Sequence, residues 1–242
     1  MPKQFFCIID TETTQDGLVA DFAAVICDRK GTVHHQCAAL VRGVYDAPDQ
    51  HPLFYSDRAG DLWARAGLPK RYARYNAMLE NGARVLASPE AINRWLMKAI
   101  AKYVPTLTAY NLPFDVDKMN NTGLLVELFD NYFCLWRAAC EKWARKKAYR
   151  EFVLNSHAFN APTEKGNMTY KTNAEVMARF VLGNPMLEDE PHTALEDILF
   201  YELPILRELF RSKRTTLARV QEWNRQNYNW RSYQVRDHYT VT

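Results

Sequence analysis

Apolar and polar residues alternate along this chain in blocks that predict an α/β protein. Phe5-Phe6-Cys7-Ile8-Ile9 is a continuous apolar run ending in Asp10, the pattern of a strand buried on both faces. Phe22 to Cys27 makes a second such run. Asp28-Arg29-Lys30-Gly31 then supplies a tight reversal, with glycine last. Val33 to Val41 alternates through His35, Cys37 and Ala39, which predicts a third strand antiparallel to the second. Residues from about 42 to 87 mix Asp, Arg, Gly, Pro, Tyr and Trp with fragments of helical spacing and read as an irregular, partly helical insertion.

Ser88-Pro89 opens a helix, serine as N-cap and proline in the first turn, with a stripe of Ala91, Ile92, Trp95, Leu96, Ala99, Ile100 and Tyr103. Thr106 to Tyr110 reads as a buried strand, Pro113 as the start of another helix, and Tyr132 to Leu135 as a fifth strand. Trp136 to Arg150 reads as one helix with a basic outer face, and 156–170 as a loop. Asn173 to Leu182 is expected to be helical, stopped by Gly183-Asn184-Pro185. A last helix runs from near His192 to about Phe210, with Pro204 a candidate kink.

Charges at the ends of these runs supply candidate chemistry. Asp10 and Glu12 stand two apart at a strand end, so their side chains share a face. Asp115 falls in a helix first turn, and Asp197 lies inside a later helix. Acidic groups beside apolar runs need a partner or a metal, because each close pair of carboxylates repels by about 4 kcal/mol at 4 Å and an effective dielectric of 20. An all-oxygen ligand set favours Mg²⁺ or Mn²⁺ over zinc. Two such ions roughly 4 Å apart suit in-line displacement at phosphorus. His192, five positions before Asp197 and just after Pro191, belongs to the loop or the very start of the helix, where it suits a general base. Taken singly, Asp115 is as readily a helix-dipole partner, His192 a capping residue, and Asp197 and Glu196 solvent-facing.

In order and context, Asp10-Thr11-Glu12-Thr13-Thr14, Asn111-x-x-Phe114-Asp115 and His192-Thr193-Ala194-Leu195-Glu196-Asp197 resemble the three motifs of the DEDDh 3′→5′ exonucleases of the ribonuclease H-like superfamily, which include proofreading epsilon-type subunits. The resemblance implies a ribonuclease H-like fold, with a central mixed five-stranded sheet flanked by helices and the 42–87 insertion after the third strand. It implies that Asp10, Glu12, Asp115 and Asp197 hold two Mg²⁺ ions, with Mn²⁺ able to substitute, and that His192 is the general base. Thr13, Asn111 and Phe114 would lie near the terminal nucleotide. The expected activity is hydrolysis of single-stranded DNA or RNA from the 3′ end, releasing 5′-mononucleotides. The rival readings are a non-catalytic nucleic-acid-binding module and a metal-dependent endonuclease. Trp136 departs from the pattern, standing where many relatives place an Asp-Thr pair.

Bulk properties refine this picture only slightly. The chain has 242 residues and a formal net charge of +3, which permits a nucleic-acid partner without requiring one. The expected division is an exonuclease domain over 1–210 and a C-terminal extension over 211–242 packing on it. From Leu206 onward eight Lys/Arg face three Asp/Glu, interleaved with Phe210, Trp223, Tyr228, Trp230, Tyr233 and Tyr239. That composition suits either a single-strand groove or a segment wrapped over the core. The five cysteines form no Cys-x-x-Cys pair, so free thiols and a reducing compartment are expected. The first residues enter a strand directly, leaving no room for a signal peptide, and no apolar stretch approaches the ~20 residues of a membrane helix. A cytoplasmic protein without membrane attachment is the expectation; a polymerase, needed as a separate partner for proofreading, or a second copy remains open.

Overall fold

The computed structural model describes residues 3–55, 62–162 and 168–225. Its centre is a mixed six-stranded sheet in the order β4-β3-β2-β1-β5-β6. β1 (Phe5–Thr13), β2 (Val19–Asp28) and β3 (Val33–Val41) form an antiparallel meander. β5 (Thr106–Ala109) lies parallel to β1, and β6 (Tyr132–Cys134) parallel to β5. The five strands read from the sequence are present, in the mixed, helix-flanked α/β arrangement expected. A sixth, β4 (Val85–Ala87), adds to β3 in parallel from the end of the insertion. Three residues with no alternating pattern carry too little periodicity to mark a strand, so the expected count was one short.

Alternation along β1 and β2 divides the core in two. Phe6, Ile8, Ala23 and Val25 face one side; Cys7, Ile9, Phe22 and Ala24 face the other. The second side is covered by α1 (Leu62–Glu80), α2 (Pro89–Tyr103) and α3 (Leu112–Thr122). Ser88 caps α2 by accepting from the Ala91 amide, and Ile92, Leu96 and Ala99 of the expected stripe are buried. The first side is covered by α4 (Leu135–Ala139), α5 (Lys147–Asn155), α6 (Ala174–Leu182), α7 (Ala194–Asp197) and α8 (Leu203–Phe210). α9 (Leu217–Arg225) joins them through buried Val220, and its Asn224 side chain accepts from the Cys134 amide at 2.6 Å. Of the tail aromatics, Trp223 packs partly buried against this core with Arg219 over its ring, while Tyr228, Trp230, Tyr233 and Tyr239 lie outside the described residues.

Two expected helices are interrupted. After α4 the chain widens into a π-helical turn over Cys140–Ala144 and breaks before α5. Between α7 and α8 a second π-helical turn spans Ile198–Glu202. Pro204 explains the second: it has no amide hydrogen, and its ring crowds the carbonyl four residues earlier, so widening the preceding turn relieves the clash without a sharp kink. The reversal after β2 is as read, with Gly31 at φ 79° and the Asp28 carboxylate accepting from the amides of Lys30 and Thr32. Cys7, Cys27, Cys37 and Cys134 are free thiols, and four of the five cysteines are buried. No helix among the described residues is long and apolar enough to cross a membrane.

Candidate active site

The even-numbered face of β1, buried as Phe6 and Ile8, continues into Asp10 and Glu12. The register with β2 shifts between Glu12 and Thr13, an irregularity that ends regular pairing beside these carboxylates. α7 packs over this face and delivers Asp197, which is 6% exposed. Ligand atoms of Glu12, His192 and Asp197 all lie within 4.8 Å of one another. These three and Asp10 line one cavity of about 550 Å³, together with Asn111, Trp136, Glu190 and Glu202.

His192 reaches this point because it is not helical. It adopts φ 54°, and α7 starts two residues later. A continuous helix would have turned a residue five positions away by about 500° from Asp197; the left-handed residue cancels that separation. The loop is held from the insertion. The Tyr75 hydroxyl donates to the His192 carbonyl at 3.3 Å, and Arg74 Nη1 to that of Pro191 at 2.6 Å.

Asp115 arrives from the opposite side of the sheet, in the first turn of α3. Its Oδ1 accepts from Thr11 Oγ1 at 2.8 Å, and it is 3% exposed. It does not line the cavity, yet its charge is felt by Asp10. Of the three residues expected near a terminal nucleotide, Asn111 lines the cavity from a left-handed position at φ 80°. Phe114 is 43% exposed outside it, with Lys118 over its ring, and Thr13 is buried and accepts from the Phe54 amide.

Two further acidic residues stand where the sequence did not announce them. Glu202, unremarked in the sequence, is 3% exposed and lines the cavity; its Oε1 accepts from the Tyr110 amide. It sits five residues after Asp197, the spacing that a π-helical turn aligns on one face. An acid beside Pro204, one turn beyond the third motif, was the available signal. Glu196 was expected to face solvent, but it pairs with Arg84 at 2.6 Å. Arg84 also grips Asp21 of β2, whose Oδ2 accepts from the Ala194 amide. No periodicity links residue 84 to residue 196, so this triad had no local signature.

The electrostatics are those of crowded anions. Burial, followed by the charges of Glu202, Asp115, Glu12 and Asp197, raises Asp10 well above the usual carboxylate range. Burial, with Glu190 and Glu12 adding, pushes Asp197 up to about 8. Burial lifts Glu12 to about 7 despite the opposing charge of Arg71. Burial likewise raises Glu202, with Asp115 the largest charge acting on it. The His192 ring moves the other way: desolvation and then the Arg71 charge lower its pKa, favouring neutral imidazole near pH 7. Asp197 Oδ1 and Glu202 Oε2 are buried without a hydrogen-bond partner. Orphaned, mutually repelling carboxylate oxygens are what a divalent cation satisfies, so this donor set fits hard, oxygen-seeking ions.

No protein-family model matches the chain, and no curated protein matches it. Solved structures do. The zinc-bound form of the E. coli ExoI–ssDNA complex is similar at 14% identity, covering 90% of this chain and 42% of that one, with a TM-score of 0.48. Exonuclease I in complex with the inhibitor BCBP is similar at 14% identity, covering 90% and 43%, with a TM-score of 0.47. The chain spans about two fifths of the length of these structures it matches.

Proposed function

We propose that this protein is a divalent-metal-dependent 3′→5′ exonuclease releasing 5′-mononucleotides from single-stranded DNA or RNA. The observation that carries this reading is the meeting of Glu12, His192 and Asp197 within 4.8 Å in the cavity that also holds Asp10. Asp10, Glu12, Asp115 and Asp197 would hold two Mg²⁺ ions, or Mn²⁺ in their place. Bound there, such ions neutralise the carboxylates and stabilise the attacking and leaving oxygens of phosphodiester hydrolysis. A ring nitrogen of neutral His192 takes the proton of the attacking water, and the Tyr75 and Arg74 bonds fix the backbone of its loop. Asn111, on the cavity wall, would touch the terminal nucleotide, with Thr13 and Phe114 acting from the flanks. A cavity of this volume takes a nucleotide-sized group, which favours a frayed or single-stranded end over an intact duplex.

Incubating the protein with DNA and RNA strands labelled at either end tests the reading. Mononucleotides released from the 3′ end with Mg²⁺, and none with EDTA or after Asp10→Ala or Asp197→Ala, support it. Internal fragments would reassign the site to an endonuclease. A shifted but uncut band would make the protein a binding module.

A further inference from the structure

Among the described residues, three side chains of α1 bond to the site, and one differs from the other two. Arg74 and Tyr75 bond to backbone carbonyls of the His192 loop. Arg71 meets a carboxylate instead: its Nη2 lies 3.2 Å from Glu12 Oε2, while Nη1 donates to the Phe54 carbonyl at 2.7 Å. Among the described residues these two bonds use two of the five guanidinium donors. The side chain is 26% exposed, so it reaches solvent while touching Glu12 of the cavity wall.

The wall beside it is acidic, with Asp10, Glu12, Glu190, Asp197 and Glu202. A phosphodiester approaching that wall is itself an anion and needs a cationic contact. A guanidinium fork matches two phosphate oxygens at once, which an ammonium cannot do. The Arg71 ion pair is partly solvated and made through one nitrogen, so exchanging its partner costs little.

We propose that Arg71 is a substrate-binding residue that rests on Glu12 in the empty site and turns to a backbone phosphate of the bound strand. This rests on the nuclease reading of the same site. It makes the 42–87 insertion a contributor to strand binding, through a residue outside all three motifs.

The test measures binding of a fluorescein-labelled single-stranded oligothymidylate, in Ca²⁺, across a salt series. Arg71→Gln keeps hydrogen-bond donors for Glu12 and Phe54 while removing the charge, and thermal unfolding of each variant verifies folding. The expected result is binding weakened about tenfold, with the slope of log K against log salt reduced by about 0.7, one single-strand phosphate contact. Arg71→Lys restores the slope but only part of the affinity, because it returns the charge without the fork. A slope for Arg71→Gln equal to that of the wild type overturns the proposal, whatever happens to turnover or melting. So does a wild-type protein that fails to bind the strand. If the wild type binds but shortens no DNA or RNA in Mg²⁺, the nuclease reading fails, while the slope still decides whether Arg71 meets phosphate.

Discussion

Two arginines of the insertion each pair with an acidic residue belonging to a motif, and they do opposite things. Arg84 is 1% exposed and lies between Asp21 and Glu196, with contacts of 2.8 Å and 2.6 Å and further bonds to both. Through Asp21 and the Ala194 amide it ties β2 to the start of α7, and so sets where Asp197 stands. Arg71 touches Glu12 through a single nitrogen and reaches solvent. The difference lies in solvent access. A charge removed from water has no alternative partner and becomes architecture, whereas one that reaches solvent can exchange its partner for a ligand.

The comparison breaks most visibly if Arg84 is replaced. Arg84→Met leaves Asp21 and Glu196 facing each other without a cation, and a loss of about 3–5 kcal/mol in urea unfolding is expected. Arg71→Gln, measured in the same way, should cost less than about 1 kcal/mol. Equal losses would erase the distinction. Asp197→Asn addresses the anions themselves. It should slow nuclease turnover at least ~10³-fold, about 4 kcal/mol in the barrier, without lowering the metal-free melting temperature, because it relieves repulsion. A variant that melts early would show that Asp197 holds the fold.

Acidity separates the two regions more gently. The pKa values of Glu12 and Asp197 are raised in the fold to about 7 and about 8, so these groups favour the folded state when protonated. Their contribution is complete below the usual carboxylate range and is lost as pH rises through 7 to 8. In EDTA the melting temperature should therefore fall over that interval, and Mg²⁺ should flatten the fall; a flat profile in EDTA would contradict the crowding. The smallest effect belongs to Asp28, far from the site. Partial burial opposes its ionisation, but hydrogen bonds from His34, the Lys30 and Thr32 amides and Lys3 outweigh it and hold the carboxyl at about 2. That stability is present above about pH 4 and lost as pH falls through 2. Asp28→Asn should remove about 1 kcal/mol of this acid dependence once solvent screening is allowed for.

The sequence was informative where a signal was local. Phe5 to Asp10, the Ser88 cap and the Gly31 reversal each follow from a few neighbouring residues, and the structure has them. The spacing of Asp10 and Glu12 also gave their shared face, since a strand repeats every two residues. What escaped depends on partners far along the chain or on irregular backbone. Glu202 needed the widened turn before Pro204 to reach the cavity, and Glu196 needed Arg84, 112 positions away. His192 was expected in the loop or at the very start of the helix, and it lies in the loop; its closeness to Asp197 depends on one left-handed residue that no pattern announces.

The π-helical turn over Ile198–Glu202 also sets how the chain tolerates changes of length. Such a turn holds one residue more than an α-helix needs. Deleting a single residue there would restore regular winding with the acid four positions after Asp197, about 40° around the helix, so both carboxylates would keep one face. The helix would persist, α8 would keep its apolar face toward the core, and the cavity would keep its acid. In this segment an inherited deletion of one codon would therefore be absorbed by the helix, whereas a like deletion in β2, buried along its whole length, would invert the pleat and exchange the residues packed into the two halves of the core.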